Sequence, residues 1–295
     1  MNCPNAAGLT VSMPSGLVHH TEKDTMTRAT APTYADVVDL DRYPIHDLGS
    51  DRGRAWVAEC REQLQRDGVC NLPGFITAEA VAEMVRHADA LDSAAYRTNS
   101  THTIYLEPAD ETVPDTHPRA AQQRSAKKTI AYDQMPTEVP IRRLYESDDL
   151  TTFIAGVLGK DELHRSADPL DALTIALYED GDELGWHFDR SEFSVTVMYQ
   201  EADAGGDFDY YPALRSAEND NYEAIETVLA GDTDGAVRLP SAPGSLAFFH
   251  GRNAVHRVSP VAGSRPRINS VLTYGEKPDM RLNQHTQALF YGRTV

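Results

Sequence analysis

The residues best suited by type and spacing to do chemistry are His187 and Asp189 in Trp186-His187-Phe188-Asp189, and His256 in Gly251-Arg252-Asn253-Ala254-Val255-His256-Arg257-Val258. In an extended strand residues i and i+2 project from one face, roughly 6.6 Å apart along the backbone, so His187 and Asp189 can close on one metal ion. With a second imidazole from a neighbouring strand they make a two-His-one-carboxylate set. Such a set leaves coordination positions open and suits non-haem Fe(II) that takes up a co-substrate and O2.

The pattern His-x-Asp occurs twice, and context separates the two. His87-Ala88-Asp89 lies in an apolar-periodic stretch from Thr77 to Leu91 that reads as a helix, where residues two apart point away from each other. His187-Asp189 instead opens the alternating run Phe193-Ser194-Val195-Thr196-Val197-Met198-Tyr199, the pattern of a strand.

The 295 residues suit one large single-core domain with helical additions. Its 27 basic against 45 acidic side chains give a net charge of −18, which repels phosphate backbones and anionic membranes and leaves a small molecule as the expected partner. Composition says nothing of oligomeric state. Cys3, Cys60 and Cys70 are odd in number and show no C-x-x-C spacing, so neither a disulfide framework nor a zinc site is expected. Together with the lack of a signal-peptide-like apolar core in residues 1–30, this points to a cytoplasmic protein.

The elements that must position the three ligands follow from caps and periodicity. Residues 1–33, polar and aperiodic and including His19-His20, read as a disordered tail. One domain spans 34–295. Within it, 34–165 are helical support and a substrate lid, 166–275 the β core, and 276–295 a C-terminal segment. Ser50 caps a helix that Gly68 ends, with Trp56, Cys60 and Leu64 on one face; Val69 to Leu72 is a short strand; Thr77 and Ser147 cap further helices, the latter ending at Gly159. Residues 96–136 read as a long polar loop that ends in a strand over Thr129 to Asp133. The basic cluster Arg124, Lys127 and Lys128 there is a candidate for gripping a substrate carboxylate. Strands follow at Leu173 to Tyr178, Trp186 to Gln200, Phe208 to Tyr211, Val237 to Leu239, Gly244 to Phe249, Ala254 to Pro260 and Arg267 to Tyr274, with a helix inserted at Asn221 to Leu229. The expected class is mainly β with helical additions (α+β): a double-stranded β-helix, or jelly roll, with an N-terminal helical layer.

In order, "DGVCNLPGF", "WHFD", Gly205-Gly206 with Phe208, "NYEAIETVLAG", "PGSLAFF", "GRNAVHRVSPV" and a closing "YGR" resemble the Fe(II)- and 2-oxoglutarate-dependent oxygenases. Within them they are similar to the branch holding the free-amino-acid halogenases of lysine and their hydroxylating relatives. The likeness is strong over residues 168–275 and looser before them. It implies Fe(II) as the metal, 2-oxoglutarate and O2 as co-substrates, and His187, Asp189 and His256 as metal ligands. It also implies a basic clamp for 2-oxoglutarate on the strand after the distal histidine. Arg265 and Arg267 are both available. Arg267 is preferred because Arg267, Asn269, Val271 and Thr273 share one strand face, and a guanidinium fork matches a carboxylate. Tyr178 and Thr273 are candidates for added hydroxyl contacts.

In the halogenating relatives a small residue replaces the carboxylate and vacates a position for chloride, so Asp189 implies hydroxylation. The resemblance further implies a free amino acid as substrate, Arg124 as the grip on its carboxylate, and Trp186, Asn269 and Arg190 as pocket residues. Leu184 and Arg190 depart from the polar and acidic residues of the lysine halogenases. A neutral or acidic amino acid therefore stands beside lysine as a candidate. Desaturation, cyclisation, epimerisation or halogenation at the same centre, and a non-catalytic jelly-roll binding module, are the alternatives.

Overall fold

The computed structural model describes residues 33–212 and 214–295. Apart from Thr33, the tail expected before residue 34 lies outside the described residues, as do Cys3 and His19-His20.

Local chemistry sets the N-terminal helices. Ser50 accepts a bond from the Gly53 amide at 3.0 Å and starts α1 (Asp51–Asp67), which Gly68 ends in the left-handed region. Strand β1 (Val69–Leu72) follows, and Thr77, accepting from the Ala80 amide, caps α2 (Ala78–Leu91). Then come β2 (Tyr96–Thr103), β3 (Gln122–Ile130), α3 (Pro140–Tyr145) and α4 (Asp148–Leu158), the last capped by Ser147. The C-terminal half holds β4 (His164–Arg165), β5 (Leu173–Tyr178), β6 (Glu183–His187), β7 (Ser194–Gln200), β8 (Ala204–Gly205) and β9 (Phe208–Tyr211). After α5 (Tyr222–Leu229) come β10 (Val237–Arg238), β11 (Leu246–Phe249), β12 (Val255–Val258), β13 (Val261–Ala262), β14 (Arg267–Leu272), β15 (Tyr274–Gly275) and α6 (Gln284–Tyr291).

Eleven strands form one curled sheet in the order β1-β11-β7-β14-β5-β3-β6-β12-β9-β10, with β2 added to β3. Strand β3 pairs with both β5 and β6 and so joins two walls, β1-β11-β7-β14-β5 and β6-β12-β9-β10. Successive core strands fall mostly on alternate walls, which is the jelly roll. Alternation along β5 gives the larger wall two faces. Leu173, Ile175 and Leu177 join the core shared with Leu64, Met84, Phe153 and Ile154 of the helices, while Thr174 and Tyr178 face a cavity between the walls. Trp56 stacks on Phe153 with centroids 4.2 Å apart and holds α1 to α4. No described helix is long and apolar enough to cross a membrane.

Among the departures from the sequence expectation, three bear on the site or its support. Residues 96–136 are not one long loop: β2 and β3 form an eight-pair antiparallel ladder from Tyr96↔Thr129 to Thr103↔Gln122. Its side chains are mostly polar because the ladder is held by backbone bonds and its buried positions, Ala126 apart, are the hydroxyls and imidazole of Thr98, His102, Thr103, Ser125 and Thr129. The strand expected from Trp186 to Gln200 is broken after His187, where the Asp189 amide leaves the sheet to bond the Gly251 carbonyl at 3.0 Å. Helix α6, capped by Asn283, was not expected; it docks through Gln287 to the buried Asp168, which also receives the Leu170 and Leu282 amides.

Candidate metal centre

Strands β6 and β12 pair with His187 directly opposite His256, which brings the two ring centroids to 4.1 Å. In each ring Nδ1 lies 2.9 Å from the carbonyl oxygen two residues earlier, Gly185 for His187 and Ala254 for His256. A carbonyl can only accept, so Nδ1 carries a proton, and in the neutral ring Nε2 is the lone pair that a metal can take. Asp189, just beyond the strand end, places Oδ1 3.6 Å from Nε2 of His187 and Oδ2 3.4 Å from Nε2 of His256. The Ser194 hydroxyl donates to Oδ2. Gly251 leaves no room for any side chain on that flank, since a Cβ there would stand 2.1 Å from Oδ2.

Burial, then the neighbouring His256, pulls the His187 pKa well below its ordinary value, which keeps the ring in the neutral form a metal requires. Burial alone would push the Asp189 carboxyl up, but His256 and His187, when protonated, and the Ser194 hydroxyl outweigh it and hold it below the usual range. One donor atom from each of the three residues lies within 4.8 Å of the others, and among the described residues theirs is the one cluster of that kind. Two imidazoles and one carboxylate on one side of a cavity fit Fe(II) with positions left open. His87 belongs to no such cluster and faces Glu83 one helical turn away.

The cavity, about 180 Å³, runs from this centre to Arg267. Arg267 is 4% exposed, opens β14 opposite Tyr178 and lies 5.4 Å from that ring's centroid. It donates to Asn269 Oδ1, its Nε has no partner, and no described carboxylate pairs with it. Burial draws its pKa down. A buried guanidinium without a counter-ion is costly, and a carboxylate entering the cavity relieves that cost. Gly206, at φ +66°, allows the close approach, for a Cβ there would stand 3.0 Å from Arg267 Cδ. Arg265 is exposed on the outside, its amide bonded to Asp203.

Of the residues expected from sequence, His187, Asp189, His256, Arg267, Tyr178 and Asn269 line this one cavity. Thr273 stands behind its wall, donating to Asp171 at 3.2 Å. Three more do not line it. Arg124 is on the outer face of β3, bonded to the Gly181 carbonyl and Glu183, because alternation turns 125, 127 and 129 inward and 124 outward. Trp186 points away from His187 for the same reason and packs on Tyr211 and Arg257. Arg190 is exposed in the loop after the ligands. Sequence reasoning singled out no role for Ser194, Gly251, Asp171, Phe290 or Tyr291. It placed Lys127 only within a basic cluster; alternation along β3 is the signal that separates it from Arg124.

A sequence profile for the family described as Halogenase D matches residues 53–290. No curated protein is similar enough to count as a match. Among solved structures, AviO1 from Streptomyces viridochromogenes Tue57 superposes with TM-score 0.52 at 17% identity, over 77% of this chain and 97% of that one. The epimerase SnoN of nogalamycin biosynthesis, in complex with Fe3+, alpha-ketoglutarate and nogalamycin RO, superposes with TM-score 0.51 at 16% identity, over 75% of this chain and 84% of that one. At these identities the superpositions speak for the fold, whereas the profile spans most of the chain. With its donor set and jelly roll, the chain belongs to the Halogenase D family, within the Fe(II)- and 2-oxoglutarate-dependent oxygenases.

Proposed function

We propose that this oxygenase hydroxylates an unactivated C–H bond of a small, free amino acid, with His187, Asp189 and His256 holding Fe(II) and Arg267 holding the distal carboxylate of 2-oxoglutarate. The observation that carries this reading is a complete His-Asp-His set in the same cavity as a buried, unpaired arginine. When bound, iron and 2-oxoglutarate supply the oxidising chemistry: O2 is consumed, the keto acid becomes succinate and CO2, and the substrate gains a hydroxyl.

The chain's own residues do the positioning. The Gly185 and Ala254 carbonyls fix the imidazole tautomers and ring planes. Ser194 and the Gly251 flank fix the carboxylate rotamer. Arg267 offers its fork to a carboxylate, and the Tyr178 ring supports the guanidinium. Phe208, Phe249 and Val258 wall the centre with apolar surface that excludes water.

The family's description makes halogenation the second reading. Asp189 argues against it, because the carboxylate takes the position a halide needs, and Ser194 and the Gly251 flank hold it there. Fe(II)-loaded protein given 2-oxoglutarate, O2, chloride and a panel of amino acids tests both. A product heavier by one oxygen, matched by succinate, supports hydroxylation. A chlorinated product supports the second reading, and loss of two hydrogens moves the assignment to desaturation or cyclisation.

A further inference from the structure

Resting on the hydroxylase reading above, we infer that Lys127 and Asp171 form the substrate subsite of the cavity, Lys127 receiving the carboxylate and Asp171 the ammonium of a free amino acid with an uncharged aliphatic side chain.

Three cations lie close together on β3, and the structure separates them. Arg124 pairs with Glu183 at 3.0 Å, and Lys128 with Asp92 at 2.9 Å and Glu179 at 2.7 Å. Lys127 turns the other way, into the cavity, and forms no ion pair or hydrogen bond among the described residues. Its ammonium rests 5.5 Å from the Phe290 ring centroid and 6.0 Å from that of Tyr178. Aromatic faces hold a cation in place without neutralising it. In a chain with 45 acidic side chains, an ammonium kept half-buried without an acid partner is poised for an anion from outside.

Asp171 is the complement. Its carboxylate lines the same cavity and receives only neutral donors, the Tyr291 hydroxyl at 2.5 Å and Thr273 Oγ1 at 3.2 Å. Burial, with the Asp168 carboxylate nearby, leaves its pKa raised to about 6, against partial relief from those two hydroxyls and from the Lys127 charge. Thr273 follows Leu272, which pairs with Val195 beside Ser194, the residue that holds Asp189. Asp171 is therefore tied to the larger wall, whose Ser194 donates to Asp189. Helix α6 completes the arrangement, with Phe290 against Lys127 and Tyr291 on Asp171.

Charge inventory points to the ligand class. Lys127 and Arg267 against Asp171 and Asp189 sum to zero among the charged lining residues. A divalent metal and dianionic 2-oxoglutarate cancel, so a substrate of no net charge keeps the buried volume neutral. Lys127 and Asp171 sense each other's charge across the cavity yet form no ion pair, and a molecule carrying both signs can bridge them. The remaining lining includes Leu106, Leu184, Val258 and Val271 and offers no further charge, which suits an aliphatic side chain.

The test is calorimetric binding to anaerobic protein loaded with Fe(II) and 2-oxoglutarate, whose visible absorption reports that the complex has formed. The probes are L-leucine, L-isoleucine and L-valine, each with its amide and its deaminated acid. At least one amino acid should bind, with its amide and its deaminated acid each weaker by about tenfold or more, the weight of one charge-assisted hydrogen bond. Lys127→Met should weaken the amino acid but not the amide. Asp171→Asn should weaken the amino acid but not the deaminated acid. Both variants should form the Fe(II)–2-oxoglutarate complex with wild-type affinity, which shows that they fold. If that complex forms in the wild type but none of the three amino acids binds, or an acidic or basic amino acid binds tighter, the inference fails and the hydroxylase reading stands. Weakened 2-oxoglutarate binding in Lys127→Met would assign Lys127 to the co-substrate and overturn the inference. Failure of the wild type to form the complex at all would remove the hydroxylase reading and the inference with it.

Discussion

Gly251→Ala places a single methyl group against the carboxylate of the metal centre. Its Cβ would stand 2.1 Å from Asp189 Oδ2, 2.9 Å from Cγ and 3.0 Å from Cβ. Ordinary non-bonded contacts of carbon lie near ~3.5 Å, so the carboxylate must retreat by about 1 Å. The backbones cannot part freely, because the Asp189 amide is bonded to the Gly251 carbonyl at 3.0 Å. The side chain must therefore rotate, losing Ser194 and its position 3.4 Å from His256 Nε2. Metal–ligand distances tolerate about 0.2 Å. Displaced support of a ligand typically costs about 10–100-fold in metal affinity, or about 1.4–2.7 kcal/mol. Overpacking adds a penalty of about 1–3 kcal/mol to metal-free stability. Titration with Fe(II) or Mn(II) under argon measures the first, and denaturant unfolding of metal-free protein the second. The stability penalty should vanish in the Asp189→Gly background, where the clashing atoms are gone. Wild-type metal affinity in Gly251→Ala, or a penalty that persists alongside Asp189→Gly, would refute the placement of Asp189 in the ligand set.

Ser194→Ala removes one hydrogen bond from Asp189 and should weaken metal binding by about tenfold while the protein stays folded; unchanged affinity would deny Ser194 a positioning role. Arg267→Leu should raise the 2-oxoglutarate dissociation constant by about 30-fold or more, the weight of a desolvated charge pair, and Arg265→Ala should leave it nearly unchanged. The reverse order in equilibrium binding would exchange the two arginines. Phe153→Ala opens the contact between the helical layer and the larger wall and should cost about 3–5 kcal/mol in denaturant unfolding; a loss under about 1 kcal/mol would contradict that packing. Asp171 carries a pKa raised from 3.8 to about 6, so the folded protein keeps a proton that the unfolded chain has already released. Stability contributed by that proton falls as pH rises through this window. The melting-temperature advantage of Asp171→Asn over wild type should therefore grow from about pH 4 to about pH 7; a constant gap would contradict the assignment.

Much of this was legible in the sequence because the signals were local. Ser50, Thr77 and Ser147 announce helix starts by a side-chain oxygen three residues ahead of an amide, and Gly68 and Gly159 announce ends by adopting a conformation open mainly to glycine. Leu173 to Tyr178 reads as a strand because both of its faces are buried. His187 separates from His87 because the second stands on a helix. Tertiary facts were not legible. A polar ladder such as β2 with β3 shows no apolar alternation, since its inward positions carry hydroxyls, an imidazole and Lys127. Misreading it as a loop hid the face rule that turns Arg124 outward and Lys127 inward. The break after His187 depends on a bond to Gly251, far along the chain. Asp171 and Tyr291 meet only once α6 has docked on Asp168, and no local pattern encodes that contact.

The most direct measurement is the fate of labelled oxygen. Fe(II)-loaded protein turning over 2-oxoglutarate and the proposed amino-acid substrate under 18O2 should place one labelled atom in succinate and one in the hydroxylated product, in equal molar amounts. Equal yields with both labels would bear out a hydroxylase built on His187, Asp189 and His256. Labelled succinate beside a chlorinated, desaturated or unlabelled product would contradict it.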